Sequence, residues 1–263
     1  MRVVDLANKH MPFVTTCTHT DDTSDERDEL IRVRKKWLRD TMKKGLKVKV
    51  ALDENQEPLG FAHCLPIELG TWGMSGKDLM TVPCLTLCYQ RVYDREQGSG
   101  AGRALMEAVE EEAQKTKNGV AVLCYDNDFW FMPLSFFKKL GYKEVARRGE
   151  TVIALKTFTA VDLPAMHTSQ YTFKPVPGKV VVDVFWHPMC GTCISEIMNF
   201  RAVCVEFGDK VILNEYNTGD KAVLDKYQIS RALFFNGKSR CWGYEAPRDE
   251  IRKEIKKALQ EIS

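Results

Sequence analysis

Two spacings of apolar residues alternate along the chain: steps of two that fit strands, and steps of three and four that fit helices. Residues 2–6 (RVVDL) read as a short strand and residues 10–22 as irregular. Thr23 and Ser24 suit a helix cap, and Asp25, Glu26 and Asp28 follow where the helix dipole favours acids. Leu30, Ile31, Val33, Trp37, Leu38 and Met42 then recur at helical spacing, and Lys43-Lys44-Gly45 closes the helix. Residues 47–53 and 59–66 flank a polar turn at 54–57, which predicts a hairpin. Residues 70–77 read as a loop, 80–92 (MTVPCLTLCYQRV) as a long strand, 93–101 as a loop and 102–117 as a helix closed by Asn118-Gly119. A buried strand at 120–125, a short helix at 133–140 stopped by Gly141, and one or two strands over 143–156 complete this half.

Between 159 and 178 the rhythm fades, and Pro164, Pro175, Pro177 and Gly178 cluster as at a domain seam. A second rhythm follows, with a strand at 180–186, a helix at 194–207, a strand at 211–216 and a helix at 221–227. Residues 232–235 and 239–242 predict a hairpin over Asn236-Gly237, and 247–262 a charged helix with proline in its first turn. That order suffices for a small independent α/β domain.

Composition narrows the class. The chain has 263 residues, room for one large domain or two ordinary ones, and the seam favours two. Hydrophobic residues at 44% and charged residues at 28% exclude disordered and fibrous classes. A net charge of +2 implies neither a nucleic-acid nor a membrane partner. Nine cysteines, an odd number in a chain too long to need staples, fit free thiols in a reducing compartment. No apolar stretch resembles a signal peptide or a membrane span, so a cytoplasmic location is expected.

The strongest chemical signal is Gln97-Gly98-Ser99-Gly100-Ala101-Gly102-Arg103. Its glycines permit positive φ and close approach of a ligand, and the loop runs into a helix N-terminus whose unpaired N–H groups suit a pyrophosphate. It is no Walker loop, because no Lys-Ser/Thr follows. Nor does it read as a Rossmann fingerprint, because the strand before it sits too deep in the chain for a first βαβ unit.

At these residues the chain resembles the GNAT acetyltransferases, whose acyl-CoA loop reads Gln/Arg-x-x-Gly-x-Gly/Ala. Gln97, Gly100 and Gly102 match its fixed places, and Phe136-Phe137-Lys138-Lys139-Leu140-Gly141-Tyr142 is similar to the last-helix signature. The resemblance covers roughly residues 1–157. It implies an α/β fold of the α+β kind with a mixed central sheet, acetyl-CoA as acyl donor, and a small-molecule or protein amine as acceptor. By the same resemblance Val92 closes the strand beside the pantetheine arm, and Gln97, Gly98, Ser99, Gly100, Ala101, Gly102 and Arg103 hold the pyrophosphate. The implied chemistry is attack of a neutral amine on the thioester, which needs a proton path, oxyanion donors and an acid for the leaving thiolate. Phe137 stands where that acid is often a tyrosine, and it has no proton to donate. Tyr125 is the substitute candidate and Glu68 the candidate base. His63, Cys84 and Cys88 read as packed residues.

A second motif, Val184-Phe185-Trp186-His187-Pro188-Met189-Cys190-Gly191-Thr192-Cys193, sits at a strand-to-helix turn. Helix N–H groups there stabilise a thiolate, and the two-residue gap lets Cys193 reach a disulfide on Cys190. Residues 178–263 resemble the thioredoxin-like fold in its glutaredoxin version, with 158–177 as linker. The resemblance implies redox roles for Cys190 and Cys193. The stretch Ile229-Ser230-Arg231-Ala232 lacks the proline that such domains place opposite their thiols. An inert vestige of the fold and half of a zinc site remain open readings, although no second spaced pair is present and no metal site is expected. A GNAT domain with such a tail resembles the bacterial and archaeal acetyltransferases of the YoaP type. The expectation is an N-acetyltransferase whose tail helps bind or regulate. The alternative is a thiol-redox protein whose first domain senses acyl-CoA.

Overall fold

A computed structural model describes residues 1–17, 25–88, 100–128 and 131–262. Contacts divide the chain into two units, Met1–Thr20 with Leu38–His167 and Asp21–Trp37 with Thr168–Ser263.

The first unit is built on β1 (Arg2–Asp5), β2 (Lys47–Leu52), β3 (Pro58–Pro66), β4 (Met74–Ser75), β5 (Met80–Leu87), β6 (Gly119–Tyr125), β7 (Lys143–Arg148), β8 (Thr151–Thr157) and β9 (Ala165–Met166). Seven of these form one sheet in the order β1-β2-β3-β5-β6-β8-β7, with β5–β6 parallel and the other neighbours antiparallel. Both faces are covered, so β6 is apolar throughout. Val120, Val122 and Cys124 meet Leu105, Met106 and Val109 of the helix Ala101–Gln114, while Ala121 and Leu123 face Ile153 and Leu155. Each such aliphatic side chain contributes about 1.5–3 kcal/mol on full burial.

Two sequence expectations are corrected here. Residues 10–22 are not all irregular, because Asn8–His10 makes a 3-10 turn and Met11–Thr16 an α-helix. Pro12 suits its first turn, and Thr15 Oγ1 donates to Met11 O at 2.8 Å. The expected loop 70–77 contains β4, which pairs with β9 in the expected linker; two-residue strands are too short to show a period. The long strand is described only to Leu87, and Val92 lies outside the described residues.

Numbering helices in chain order, Met11–Thr16 is α1, Asp25–Met42 α2, Ala101–Gln114 α3 and Leu134–Lys139 α4. The residues of α2 through Trp37 cluster with the second unit. That unit adds β10 (Val180–Trp186), α5 (Gly191–Cys204), β11 (Val211–Asn217), α6 (Lys221–Tyr227), β12 (Ala232–Phe235), β13 (Lys238–Arg240) and α7 (Arg248–Gln260). Its sheet order is β11-β10-β12-β13, with only β10–β11 parallel. Val180, Val182 and Val184 pack against Ile197 and Phe200 of α5 and Ile251 and Ile255 of α7. On the opposite face, the buried Asp183 carboxylate accepts from Tyr171 Oη at 2.7 Å, Asn214 Nδ2 at 2.9 Å and Tyr216 Oη at 3.2 Å. Asn236 and Gly237 join β12 to β13 with φ of 47° and 76°, the left-handed pair that a two-residue hairpin turn demands.

Candidate functional site

The parallel strands β5 and β6 part company. Their ladder holds only Met80↔Val120, Thr81↔Ala121 and Val82↔Val122, although β5 continues to Leu87 and β6 to Tyr125. The cause lies on the other side of β5. Against β3, its register runs from Thr81↔Leu65 to Cys84↔His63, so three steps on β5 match two on β3. That extra residue is a bulge, and Pro83, which has no N–H to give a ladder, lies within it. Beyond the bulge β5 stays paired with β3 through Leu85↔Ala62, Thr86↔Phe61 and Leu87↔Gly60. The edge of β5 that faces β6 is therefore left with backbone groups for an incoming extended chain.

The start of α3 stands at the open end of this wedge. Gly100 is its N-cap with φ 71°, a conformation that glycine adopts without penalty, and its carbonyl accepts from Ala104 N at 3.0 Å. The amides of Gly102 and Arg103 precede that first intrahelical bond and have no carbonyl of their own turn to bond. Gly102 also keeps the entrance narrow but clear. A β-carbon there would lie 3.3 Å from Phe136 Cζ and 3.8 Å from Leu87 Cδ1. Ala101 is buried in the core and Arg103 is exposed, 3.9 Å from Glu107. Gln97, Gly98, Ser99 and Val92 lie outside the described residues.

Tyr125 occupies the last position of β6, at the open end, with its N–H donated to Met132 O at 3.1 Å. Glu68 does not join it. It lies past the far end of β3, where its carboxylate accepts from Asp78 N at 2.7 Å and from Lys117 Nζ at 3.2 Å. Asp78 and Lys117 precede β5 and β6, so Glu68 sits at the closed end of the wedge. Burial alone would raise its pKa, but those backbone and lysine hydrogen bonds hold it below the ordinary carboxylate value. Glu68 is thus placed away from the start of α3 and from Tyr125.

The expectation at Phe137 also changes. Phe137 is fully buried in the core, edge-on to Tyr142 at 5.6 Å. The residue that faces the start of α3 is Phe136. The signal was available in the sequence, because Leu134, Phe137 and Leu140 share one helical stripe and Phe136 does not. His63 is buried on β3 beside Phe61, with ring centroids 5.1 Å apart.

The second motif forms a separate cluster in the second unit. Cys190 is the N-cap of α5 and half-buried, whereas Cys193 in its first turn is buried; both thiols are free. Hydrogen bonding from Cys193, through both thiol and backbone, lowers the Cys190 pKa against the effect of burial, and the charges of Arg231 and Arg34 add to this. Cys193 is raised, first by its bond to Cys190 and then by burial. His187 is buried and stays neutral, its Nδ1 accepting from Met189 N at 3.0 Å and its ring edge-on to Trp37 at 5.7 Å. Arg34 is 1% exposed on the inner stripe of α2, between Leu30 and Leu38. A charge on an apolar stripe was the legible sign that this helix faces a charged site. Arg231, just before β12, lies in the stretch 229–232 that lacks a proline. Among the described residues no group of three or more His, Cys, Asp and Glu is placed to hold a metal ion.

A split parallel pair, a bulge and a glycine-opened helix start thus stand together at one end of the first unit's sheet. The sequence profile described as the Acetyltransferase (GNAT) family matches residues 11–142, half of the chain. The chain belongs to this family and is an acetyltransferase. Similar solved structures include a ribosomal-protein-alanine N-acetyltransferase from Brucella melitensis, 15% identical over 60% of this chain and 99% of that one, TM-score 0.44. Two others are a GNAT family acetyltransferase from Brucella melitensis in complex with acetyl-CoA (15%, 63% and 95%, TM-score 0.41) and the PaiA N-acetyltransferase from Thermoplasma acidophilum in complex with coenzyme A (14%, 60% and 99%, TM-score 0.41). No curated protein matches the chain significantly. Among the described residues no helix is long and apolar enough to cross a membrane.

Proposed function

We propose that the chain moves the acetyl group of acetyl-CoA onto an amine, small-molecule or protein, at the opening between β5 and β6. The observation that carries this reading is the loss of the β5–β6 ladder after Val82, with the start of α3 at the mouth. The amides of Gly100, Ala101, Gly102 and Arg103, continuing Gln97, Gly98 and Ser99, bind the pyrophosphate through the positive end of the helix. The pantetheine amides pair with the free edge of β5, and Val92 closes that strand beside them. The amine attacks the thioester carbon in its neutral form; its proton leaves through water, and Tyr125 donates to the departing thiolate. A test follows coenzyme A release across an amine panel for the wild type and Tyr125→Phe. Release with at least one amine, falling on the substitution, supports the reading; binding of acetyl-CoA with no release from any amine overturns it.

Residues 178–263 act as a thioredoxin-like tail that helps bind or regulate, with Cys190 as an exchange-competent thiol and Cys193 as its partner. The asymmetry of a half-buried sulfur favoured as thiolate and a buried one favoured as thiol supports this role.

A further inference from the structure

A thiol, a hydroxyl and an imidazole share one face of the first unit's sheet, just beyond the point where β5 and β6 separate. Leu85 packs against the core that holds Leu105 and Met106 of α3, and Leu87 Cδ1 lies 3.8 Å from where a β-carbon on Gly102 would stand. Side chains alternate along a strand, so Cys84 and Thr86 point to the opposite face. Val120, Val122 and Cys124 likewise meet α3, which turns Tyr125 to that same opposite face. Across from Cys84 stands His63. The bulge ends at the pair His63↔Cys84, and residues so paired carry their β-carbons about 4.5–5.5 Å apart on one face.

Cys84 is not sealed in the core. It is half-buried and free, and its Sγ shares a hydrogen bond of 3.2 Å with Thr86 Oγ1. His63 is fully buried and braced by Phe61, with 5.1 Å between ring centroids. The threonine hydroxyl can turn its proton toward a sulfur that becomes negative, and an imidazole on the same face is a base of the kind that activates a thiol. The position along β5 matters as much. The β5–β6 ladder ends at Val82, so Cys84 is the second residue past the apex of the wedge. An acyl chain that enters between the strands from the start of α3 brings its reacting end to that apex. A sulfur there meets a thioester, and exchange of a thioester with another thiol makes and breaks bonds of the same kind.

We propose that Cys84 carries the acetyl group between donor and acceptor: acetyl-CoA acetylates Cys84 first, and the amine takes the group from there. This rests on the proposed transfer at the β5–β6 opening and specifies the thioester that the amine attacks. The thiol proton of Cys84 passes to His63. The sulfur attacks the carbonyl carbon of acetyl-CoA and a new C–S bond forms. The old C–S bond breaks, and its electron pair leaves on the coenzyme A sulfur, which takes the proton of Tyr125. In the second half the neutral amine attacks the acetyl carbon on Cys84, that C–S bond breaks, and the Cys84 sulfur recovers its proton from His63. The proton lost by the amine returns to Tyr125 through water, so every group ends as it began.

The test mixes the full-length chain with acetyl-CoA in the absence of any amine and follows acetylation of each cysteine by peptide mass spectrometry. Cys84 should gain an acetyl group that neutral hydroxylamine removes, at least about a hundredfold faster than the exposed Cys241 of the same chain. Excess desulfo-coenzyme A should block labelling at Cys84 and leave that at Cys241 unchanged. Because two positions of one wild-type chain are compared, the result does not hang on a variant folding. His63→Gln should slow labelling of Cys84 by about a hundredfold with acetyl-CoA binding intact. The labelled chain, freed of coenzyme A and given spermidine, tyramine or a short peptide with a free N-terminal amine, should pass its acetyl group to each of these that it acetylates in turnover. If amines are acetylated while Cys84 stays unlabelled, or if the label on Cys84 does not pass to such an amine, the carrier role is overturned and direct transfer at the wedge stands. If acetyl-CoA binds and no amine releases coenzyme A, the transfer reading itself fails.

Discussion

Acid should unfold the second unit through His187, and the size of the effect follows from its burial. Desolvation takes the folded pKa from 6.5 to about 3, so the folded imidazole stays neutral, while the unfolded chain protonates at the ordinary value. Between those pH values the unfolded state binds a proton that the folded state refuses. Stability is therefore fully present above pH 6.5 and is lost as pH falls toward 3. Each unit of separation is worth about 1.4 kcal/mol, so lowering pH from 7 to 4 removes about 3 kcal/mol through this one side chain. His187→Asn is the perturbation. Its Oδ1 can take over acceptance from Met189 N, and it has no proton to gain. Urea unfolding of the full chain at pH 7 and pH 4, with the second unit followed by hydrogen exchange of β10 peptides, measures the acid sensitivity of each protein. Carboxylates common to both cancel in the comparison. The wild type should lose about 3 kcal/mol more than the variant across that interval. Acid losses that agree within about 1 kcal/mol refute the assignment of a buried neutral imidazole.

Three further outcomes bear on the two sites. Gly102→Trp puts an indole where a lone β-carbon already lies 3.3 Å from Phe136, and acetyl-CoA binding by calorimetry should weaken at least about tenfold; unchanged binding means that α3 does not face the cofactor. Glu68→Gln should leave the maximal transfer rate within about threefold, whereas a hundredfold fall returns Glu68 to the role of base. Alkylation of Cys190 by iodoacetamide should titrate with a midpoint below about 8.5, the free-thiol value, and Cys193 should stay protected in the folded chain. A midpoint at or above that value shows that Cys190 is no thiolate nucleophile.

Much of the secondary structure was legible because each element carries a local signal. The strand over Val180–Trp186 and the helix over Lys221–Tyr227 match the residues read from the pattern, and Asn236-Gly237 marked the last hairpin. Met11–Thr16 escaped because two turns of helix offer too few positions for a period, and the β4–β9 pair because its partners stand far apart in sequence. At the site, Gly100 and Gly102 announced themselves by residue type. Glu68 did not reveal its place, because sequence carries no sign of which end of a parallel pair opens.

The sequence by itself determined a two-part chain with a glycine-rich helix start and a thiol pair, since glycines at a helix start and cysteines two residues apart act through short-range geometry that any fold must respect. Tertiary structure decided the rest. The register of β3 on β5 decides where the wedge opens, and a bulge is a property of two strands rather than of one. Helical phase turns Phe136 toward the glycines and Phe137 into the core. Packing brings Arg34 and Arg231, one from each end of the chain, to the same sulfur. Such charges act through space in a low-dielectric interior, where proximity and not order along the chain sets their strength.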